Sequence, residues 1–474
     1  MLKPISNQMH SNTKYIILFP TLFLLFYFFD LTFGYSHRNS PQKQIVTTSP
    51  SAQFELTNQL SNIDCYSRMD VIIEKFASKW ALTGVSVAVA YNNNLVYAKG
   101  FGHADKENNE LTQPYHLFRI ASASKLITAV AVMKLVEEGK LTLESQVFGQ
   151  DGILNDISFN SYIDKRVEQI NVKQLLNHSA GWTTRWGDHL FMNESIARQM
   201  EKELPLQKDD IIQFALSKRL HFNPGTSSSY NNLGYIVLER VIEKVSGKSY
   251  ESFVKEAVFT PIGVNDAFIA FNYDSLRYPY EVRYYEVDDA EPIPAFDGSQ
   301  QLVMKSRGGN DIRTLGAAGG WVISSVSLIK LLLAIDPENS SEAIISKKSS
   351  KKLIQREPGF QPMGWRTVTA SGNKWRTGSF AGSSTLALQR TDGFTFVFLS
   401  NTSSWRGSKF PYEVDRMMSR AIQSVESWPD INLLNPNGLK FPSSFPYFHQ
   451  NFGPYADVKF SGTLKDFILN PESI

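Results

Sequence analysis

Residues Phe118 to Lys140 read FRIASASKLITAVAVMKLVEEGK, an apolar run at helical spacing opened by Ser122-Ala-Ser-Lys125. The pattern predicts a helix beginning near Ser122, with Ser122 and Lys125 one turn apart on the same face. A lysine ammonium beside a serine hydroxyl is one way to make that hydroxyl nucleophilic. A serine at a helix start also gains from the unpaired N–H groups and positive dipole end there. The first implication is a covalent serine hydrolase with Ser122 as nucleophile. The spacing alone does not select it, because Ser-x-x-Lys also begins at Ser11, Ser40, Ser252, Ser327, Ser349 and Ser371. A serine at this position equally suits a plain helix N-cap.

The chain has 474 residues, enough for one large domain or two to three ordinary ones. Hydrophobic content of 42% with 20% charged residues describes a folding globular protein, and a net charge of +2 carries no bias toward nucleic acid. The single cysteine, Cys65, excludes an intrachain disulfide. Tyr15 to Phe29, YIILFPTLFLLFYFF, is an uncharged run preceded by Lys3 and Lys14 and ended by Asp30. It is short for a membrane span and suits a signal-peptide core, with an uncleaved N-terminal anchor as the competing reading. Residues 1–34 are therefore read as leader or anchor and 35–60 as a polar linker. Residues 61–427 form the main domain and 428–474 a Pro/Phe-rich tail. An exported protein, periplasmic or extracellular, is expected, touching membrane only through its N-terminal segment.

Along the domain, a helix is predicted over Met69 to Lys79. A β-hairpin follows from Gly84 to Gly102 around an Asn-rich turn at Asn92–Asn94. Helical patterns and loops dominate from about 141 to 345, including Val172–Leu176, Asp209–Leu216 and Leu233–Val245. Gly319-Gly320 opens another apolar stretch, Trp321 to Ile335. Strands return at Gly364–Val368, Lys374–Thr377, Ser384–Arg390 and Phe394–Asn401, before a helix over Tyr412–Val425. Strands at both ends with helices between predict an α/β (α+β) fold: one antiparallel sheet whose ends meet, flanked by helices, with a mainly helical region inserted.

Three short motifs then occur in order: Ser122-Ala-Ser-Lys125, Tyr230-Asn-Asn232 and Arg376-Thr377-Gly378. With their surroundings (FRIASASK, LLNHSAGW, FNPGTSSSYNNLGY, GAAGGWVIS, WRTGSFAGSST), the chain resembles the serine β-lactamase and penicillin-binding protein superfamily. The likeness is to its class C β-lactamase, D-Ala-D-Ala carboxypeptidase and esterase branch, over roughly Met69 to Val425. The resemblance implies a β-lactamase/transpeptidase-like fold and an acyl-enzyme on Ser122. Lys125 and Tyr230 are both candidate bases, a division that the motif leaves open. Asn232 would hydrogen-bond substrate or Lys125, and the N–H groups of Ser122 and Ser379 would form the oxyanion site.

Arg376, Thr377, Gly378 and Ser379 are the substrate-binding candidates. Arg376 departs from the family's usual Lys or His: it keeps the charge and offers a fork for a substrate carboxylate, but it cannot shuttle a proton. His178 lies in a loop that the resemblance makes structural. No metal, organic cofactor or nucleic-acid signature is present, so neither a cofactor nor nucleic acid is expected. The expected partner is a small-molecule or peptide substrate (a D-Ala peptide, a β-lactam or a small ester), and Arg376 favours one bearing a carboxylate. The alternative is a penicillin-binding sensor or scaffold that acylates slowly or not at all.

Overall fold

The computed structural model describes residues 56–337 and 342–435. The predicted leader or anchor, the linker up to residue 55 and the tail from residue 436 lie outside the described residues. The strands of the main sheet are β1 (Gly84–Tyr91), β2 (Asn94–Asp105), β3 (Glu110–Leu111), β4 (Thr367–Val368), β5 (Lys374–Phe380), β6 (Ser383–Gln389) and β7 (Phe394–Ser400). The helices around it are α1 (Ser67–Lys79), α2 (Ser124–Glu137), α3 (Leu233–Ser246), α4 (Ile312–Gly319), α5 (Ser325–Ala334) and α6 (Phe410–Gln423).

The sheet order is β3-β2-β1-β7-β6-β5-β4. β1 and β7 pair antiparallel from Val85↔Ser400 to Tyr91↔Phe394, so the two ends of the domain meet as expected. The β1–β2 hairpin turns on Asn92 and Asn93, whose φ of 46° and 68° asparagine tolerates better than most residues. The strand expected over 364–368 shortens to Thr367–Val368, because Met363 and Trp365 are buried in the core instead.

Alternation along the strands builds two different faces. Val85, Val87, Val89, Leu386, Leu388, Phe396 and Phe398 share a cluster with Met69, Ile73 and Phe76 of α1 and with Val414, Met417 and Met418 of α6. The opposite face carries small residues, Ala88, Ala90, Ala98 and Ala387, and packs into the larger cluster with α5. Ser86 and Ser325 hydrogen-bond across that seam at 2.8 Å. Each large side chain fully buried in either layer contributes about 1.5–3 kcal/mol.

On the small-residue side, α2 is buried without a break from Ser124 to Met133. It starts two residues later than the spacing predicts, because Ala121–Ala123 form a 3-10 turn. The stretch after Gly319-Gly320 divides into a strand, Trp321–Ile323, and α5, whose Ser324 cap accepts from the Ser327 N–H. That short strand lies between Phe118–Arg119 and Phe268–Ile269.

The packed body reaches past residues 61 and 427 at both ends. Asn58 donates to the Gly100 and Thr112 carbonyls, and the Leu433 N–H donates to the Leu95 carbonyl at 2.8 Å. Among the described residues no helix is long and apolar enough to cross a membrane.

Candidate active site

Ser122 is presented by a strained turn. Ala121 has φ of 47°, a region that non-glycine residues occupy only when their surroundings enforce it. The enforcement comes from two sides. The Ile120 N–H donates to the Trp321 carbonyl at 3.0 Å. From β5, Arg376 donates Nε–H to the Ser122 carbonyl at 2.8 Å, and its Nη2 donates to the same oxygen. β5 comes this close because residue 378 is glycine: a Cβ there would stand 2.1 Å from the Ile120 carbonyl oxygen.

Behind the turn lies a buried polar cluster. Lys125, fully buried, donates to Ser122 Oγ at 3.3 Å, to Asn232 Oδ1 at 2.6 Å and to the Ala318 carbonyl at 2.6 Å. These three bonds are the full donor capacity of an ammonium. The rings of Tyr230 and Tyr235 flank it at 5.1 and 5.3 Å. Burial lowers the Lys125 pKa, the Tyr230 oxygen opposes that, and the Arg376 charge adds to it. The Tyr230 hydroxyl donates to Ser122 Oγ at 2.7 Å. Burial alone would raise the Tyr230 pKa, but the charges of Lys125 and Arg376 and the hydrogen bonds at its oxygen outweigh it and bring it down to about 8.

Local sequence explains how Asn232 is free to join. Asn231, its neighbour, accepts from the Gly234 N–H at 2.9 Å at the start of α3. Asn232 can therefore turn Oδ1 to Lys125 and donate from Nδ2 to Asp188 Oδ2 at 2.9 Å. The Ala318 carbonyl is positioned by α4, which breaks at Gly316 with φ of 30°. There the Ala317 N–H donates to the buried Glu239 at 2.8 Å and the Ala317 carbonyl accepts from Thr128 at 2.7 Å. His178 lies against Tyr230 with ring centres 4.6 Å apart and planes tilted by 47°, and burial with the surrounding cations holds it neutral. It makes no contact with Ser122 among the hydrogen bonds at the site.

The structure thus brings Ser122, Lys125, Tyr230 and Asn232 into one hydrogen-bonded group, with Arg376 and Gly378 against the serine's own backbone. Arg376 departs from expectation. Its fork does not face a substrate carboxylate: it is buried, Nε and Nη2 hold the Ser122 carbonyl, and only Nη1 lacks a partner. The guanidinium's fixed fork lets Nε and Nη2 hold that one carbonyl oxygen together.

Another cation stands beside Tyr230. Arg366 is exposed, its guanidinium 5.4 Å from the Tyr230 ring centre and its backbone N–H on the Trp375 carbonyl. β4 pairs with β5 only at Lys374 and Trp375, so the strand edge carrying Thr377 and Ser379 continues unpaired beyond it. Phe191 and Phe380 meet at 5.9 Å beside that edge. Sequence reasoning missed Asp188, Ala318 and Arg366. Asp188 and Arg366 belong to none of the three motifs, and Ala318 acts through its backbone, which no side chain advertises. Among the described residues no group of His, Cys, Asp and Glu is arranged to hold a metal.

The sequence is matched by the Beta-lactamase family over residues 71–413. Curated relatives include Protein flp of Staphylococcus aureus strain COL, 24% identical over 231 residues, which is 48% of this chain and 43% of the relative. Penicillin-binding protein 4* of Bacillus subtilis strain 168 is 28% identical over 200 residues, 42% of this chain and 40% of the relative. The chain thus spans less than half the length of these curated relatives. Among solved structures, the D-amino acid amidase from Ochrobactrum anthropi SV3 complexed with D-phenylalanine superimposes with a TM-score of 0.60. It is 20% identical, covering 77% of this chain and 99% of that one. The octameric penicillin-binding protein homologue from Pyrococcus abyssi gives a TM-score of 0.56 at 24% identity, over 76% of this chain and 77% of that one. At these identities the structural likeness speaks to the fold.

Proposed function

We propose that this chain, a serine hydrolase belonging to the beta-lactamase family, forms an acyl-enzyme on Ser122 with small amides or esters and releases it to water. The observation that carries the reading is the 2.7 Å contact between the Tyr230 hydroxyl and Ser122 Oγ, made by a phenol whose pKa lies near 8. Tyr230, as phenolate, takes the serine proton while Oγ bonds to the substrate carbonyl carbon. Such proton transfer contributes about 10²–10⁴-fold. Lys125 stays an ammonium, holding the phenolate by charge. The oxyanion rests on the N–H groups of Ser122 and Ser379, and one donor of this kind is worth about 10²–10³-fold. Tyr230 then passes its proton to the leaving nitrogen or oxygen as that bond breaks. Water completes the cycle by attacking the ester carbonyl carbon, with Tyr230 taking its proton and returning it to Ser122 Oγ as the bond between the acyl carbon and Oγ breaks.

D-Ala peptides, β-lactams and small esters all suit this chemistry. The open edge of β5 supports a peptide-like substrate lying alongside it. Arg366, exposed over Tyr230, takes the role first given to Arg376 as the cation for a substrate carboxylate. The D-amino acid amidase among the structural neighbours makes D-amino-acid amides a further class to assay.

The test is an intact-mass measurement on the full chain after incubation with a fluorophosphonate and, separately, with benzylpenicillin. We expect a mass gain that disappears in Ser122→Ala. No adduct with either reagent would overturn the reading. A penicillin adduct that persists for hours, without turnover of any ester or amide, would point instead to a slowly acylating sensor.

A further inference from the structure

The acyl-enzyme reading needs Lys125 to keep its proton next to a phenol that loses one, and it needs the Asn232 amide to present oxygen rather than nitrogen to that lysine. An amide flipped by half a turn would set Nδ2 against Nζ, donor against donor, at the 2.6 Å now occupied by a hydrogen bond. The carboxylate of Asp188 accepts only, and it takes the other end of the same amide: Nδ2 at 2.9 Å and the Asn232 backbone N–H at 3.3 Å. Its second oxygen accepts from the Leu190 N–H at 3.0 Å, capping the turn His189–Phe191. Both oxygens of Asp188 are therefore engaged by the protein, which makes it a support of the site and not a ligand for substrate.

Charge points the same way. Lys125 is faced by Tyr230 and Tyr235 of the third-helix region, by Arg376 of β5 and by neutral His178, while Arg366 stands over Tyr230 and His189 adjoins Asp188. Burial and Arg376 both act against the ammonium, and Asp188 is a carboxylate whose charge acts for it. We propose that Asp188 is a positioning residue acting through Asn232: it locks the amide with its carbonyl on Lys125 and so keeps the ammonium in place against Ser122 and Tyr230. The proposal rests on the Ser122 acyl-enzyme reading and extends it by one residue outside the three motifs.

The experiment follows the second-order rate at which a fluorophosphonate labels Ser122 in the full chain, a readout that requires no knowledge of the substrate. Asp188→Ala is expected to label at least about 10-fold more slowly, the size of one lost charge-assisted hydrogen bond. Asp188→Ser, which can still cap the Leu190 N–H but is too short to reach Asn232, should be as slow as Asp188→Ala. Asp188→Asn can still accept from the Asn232 amide and should recover most of the rate near neutral pH. In that variant the alkaline limb of the pH profile should move to lower pH, because Lys125 has lost a supporting negative charge. In an Asn232→Ala background, Asp188→Ala should cost less than about 2-fold more, the sign of two residues acting as a unit.

Additive losses in the double variant, a normal rate in Asp188→Ser, or an unmoved alkaline limb in Asp188→Asn would each overturn the proposal. Failure of the unaltered chain to label would instead defeat the nucleophile reading itself. Thermal melts of each variant separate loss of rate from loss of fold.

Discussion

Tyr230 turns from an ordinary phenol into a candidate base through its neighbours alone. A free tyrosine, with a pKa of about 10, is ionised to roughly one part in a thousand at pH 7. At about 8, the value its surroundings impose, the fraction is near one in ten. The working form is the deprotonated one, so kcat/KM should rise with pH toward about 8, flatten, and fall again where Lys125 gives up its proton. Tyr230→Phe should lower kcat/KM by about 10²–10⁴ and remove that rise. A rise that survives in Tyr230→Phe would assign it to another group. The sequence holds a second Tyr-x-Asn, Tyr91-Asn-Asn93, which lies at the β1–β2 turn, so spacing could not choose between them without the flanking blocks. Arg376 was legible as a cation at the site, but its direction was not: a guanidinium has several partners within reach, and only the fold placed the Ser122 carbonyl among them.

At the scale of elements, α4 carries the least obvious function. Its GAAGG run reads as tight packing, yet the break at Gly316 turns two carbonyls toward α2, one to Thr128 and one to Lys125. A Cβ on Gly316 would meet Glu239 Oε2 at 2.2 Å and Lys208 Nζ at 2.8 Å, the two partners of a partly buried ion pair, in a backbone conformation unfavourable to any side chain. Gly316→Ala is expected to cost about 2–4 kcal/mol, combining backbone strain with disturbance of that pair. Urea unfolding measures it, and a loss below 1 kcal/mol would mean that the break tolerates a side chain. The helices themselves were legible. Asp209–Leu216 and Leu233–Val245 were each placed within a residue, because amphipathic spacing and caps are local properties. The start of α2 was displaced because the 3-10 turn at Ser122 is imposed by β5 and by Trp321, far away in sequence.

The whole molecule divides the labour between the two faces of one sheet. The α1/α6 layer covers the face of large side chains, and the candidate site draws instead on the start of α2, the helical insertion, Arg366 and β5. The outer layer therefore serves stability. Met417→Ala, fully buried between α6 and the sheet, should cost about 2–5 kcal/mol in chemical denaturation while leaving the Ser122 labelling rate of the folded protein unchanged. A matching fall in labelling rate would show that the two faces are coupled.

The sequence by itself determined what depends on local pattern: the β-hairpin at Asn92–Asn93, the central helix, and strands at both ends of the domain; the grouping of Ser122, Lys125, Tyr230 and Asn232 was implied by the family resemblance that the ordered motifs carry. Tertiary structure alone decided the rest. It turned Arg376 inward, set Arg366 beside Tyr230, and recruited Asp188 and the Ala318 carbonyl. The physical reason is common to all of these. A hydrogen bond or an ion pair is a property of two groups at 3 Å, and when they lie tens or hundreds of residues apart no periodicity in the chain records that they meet.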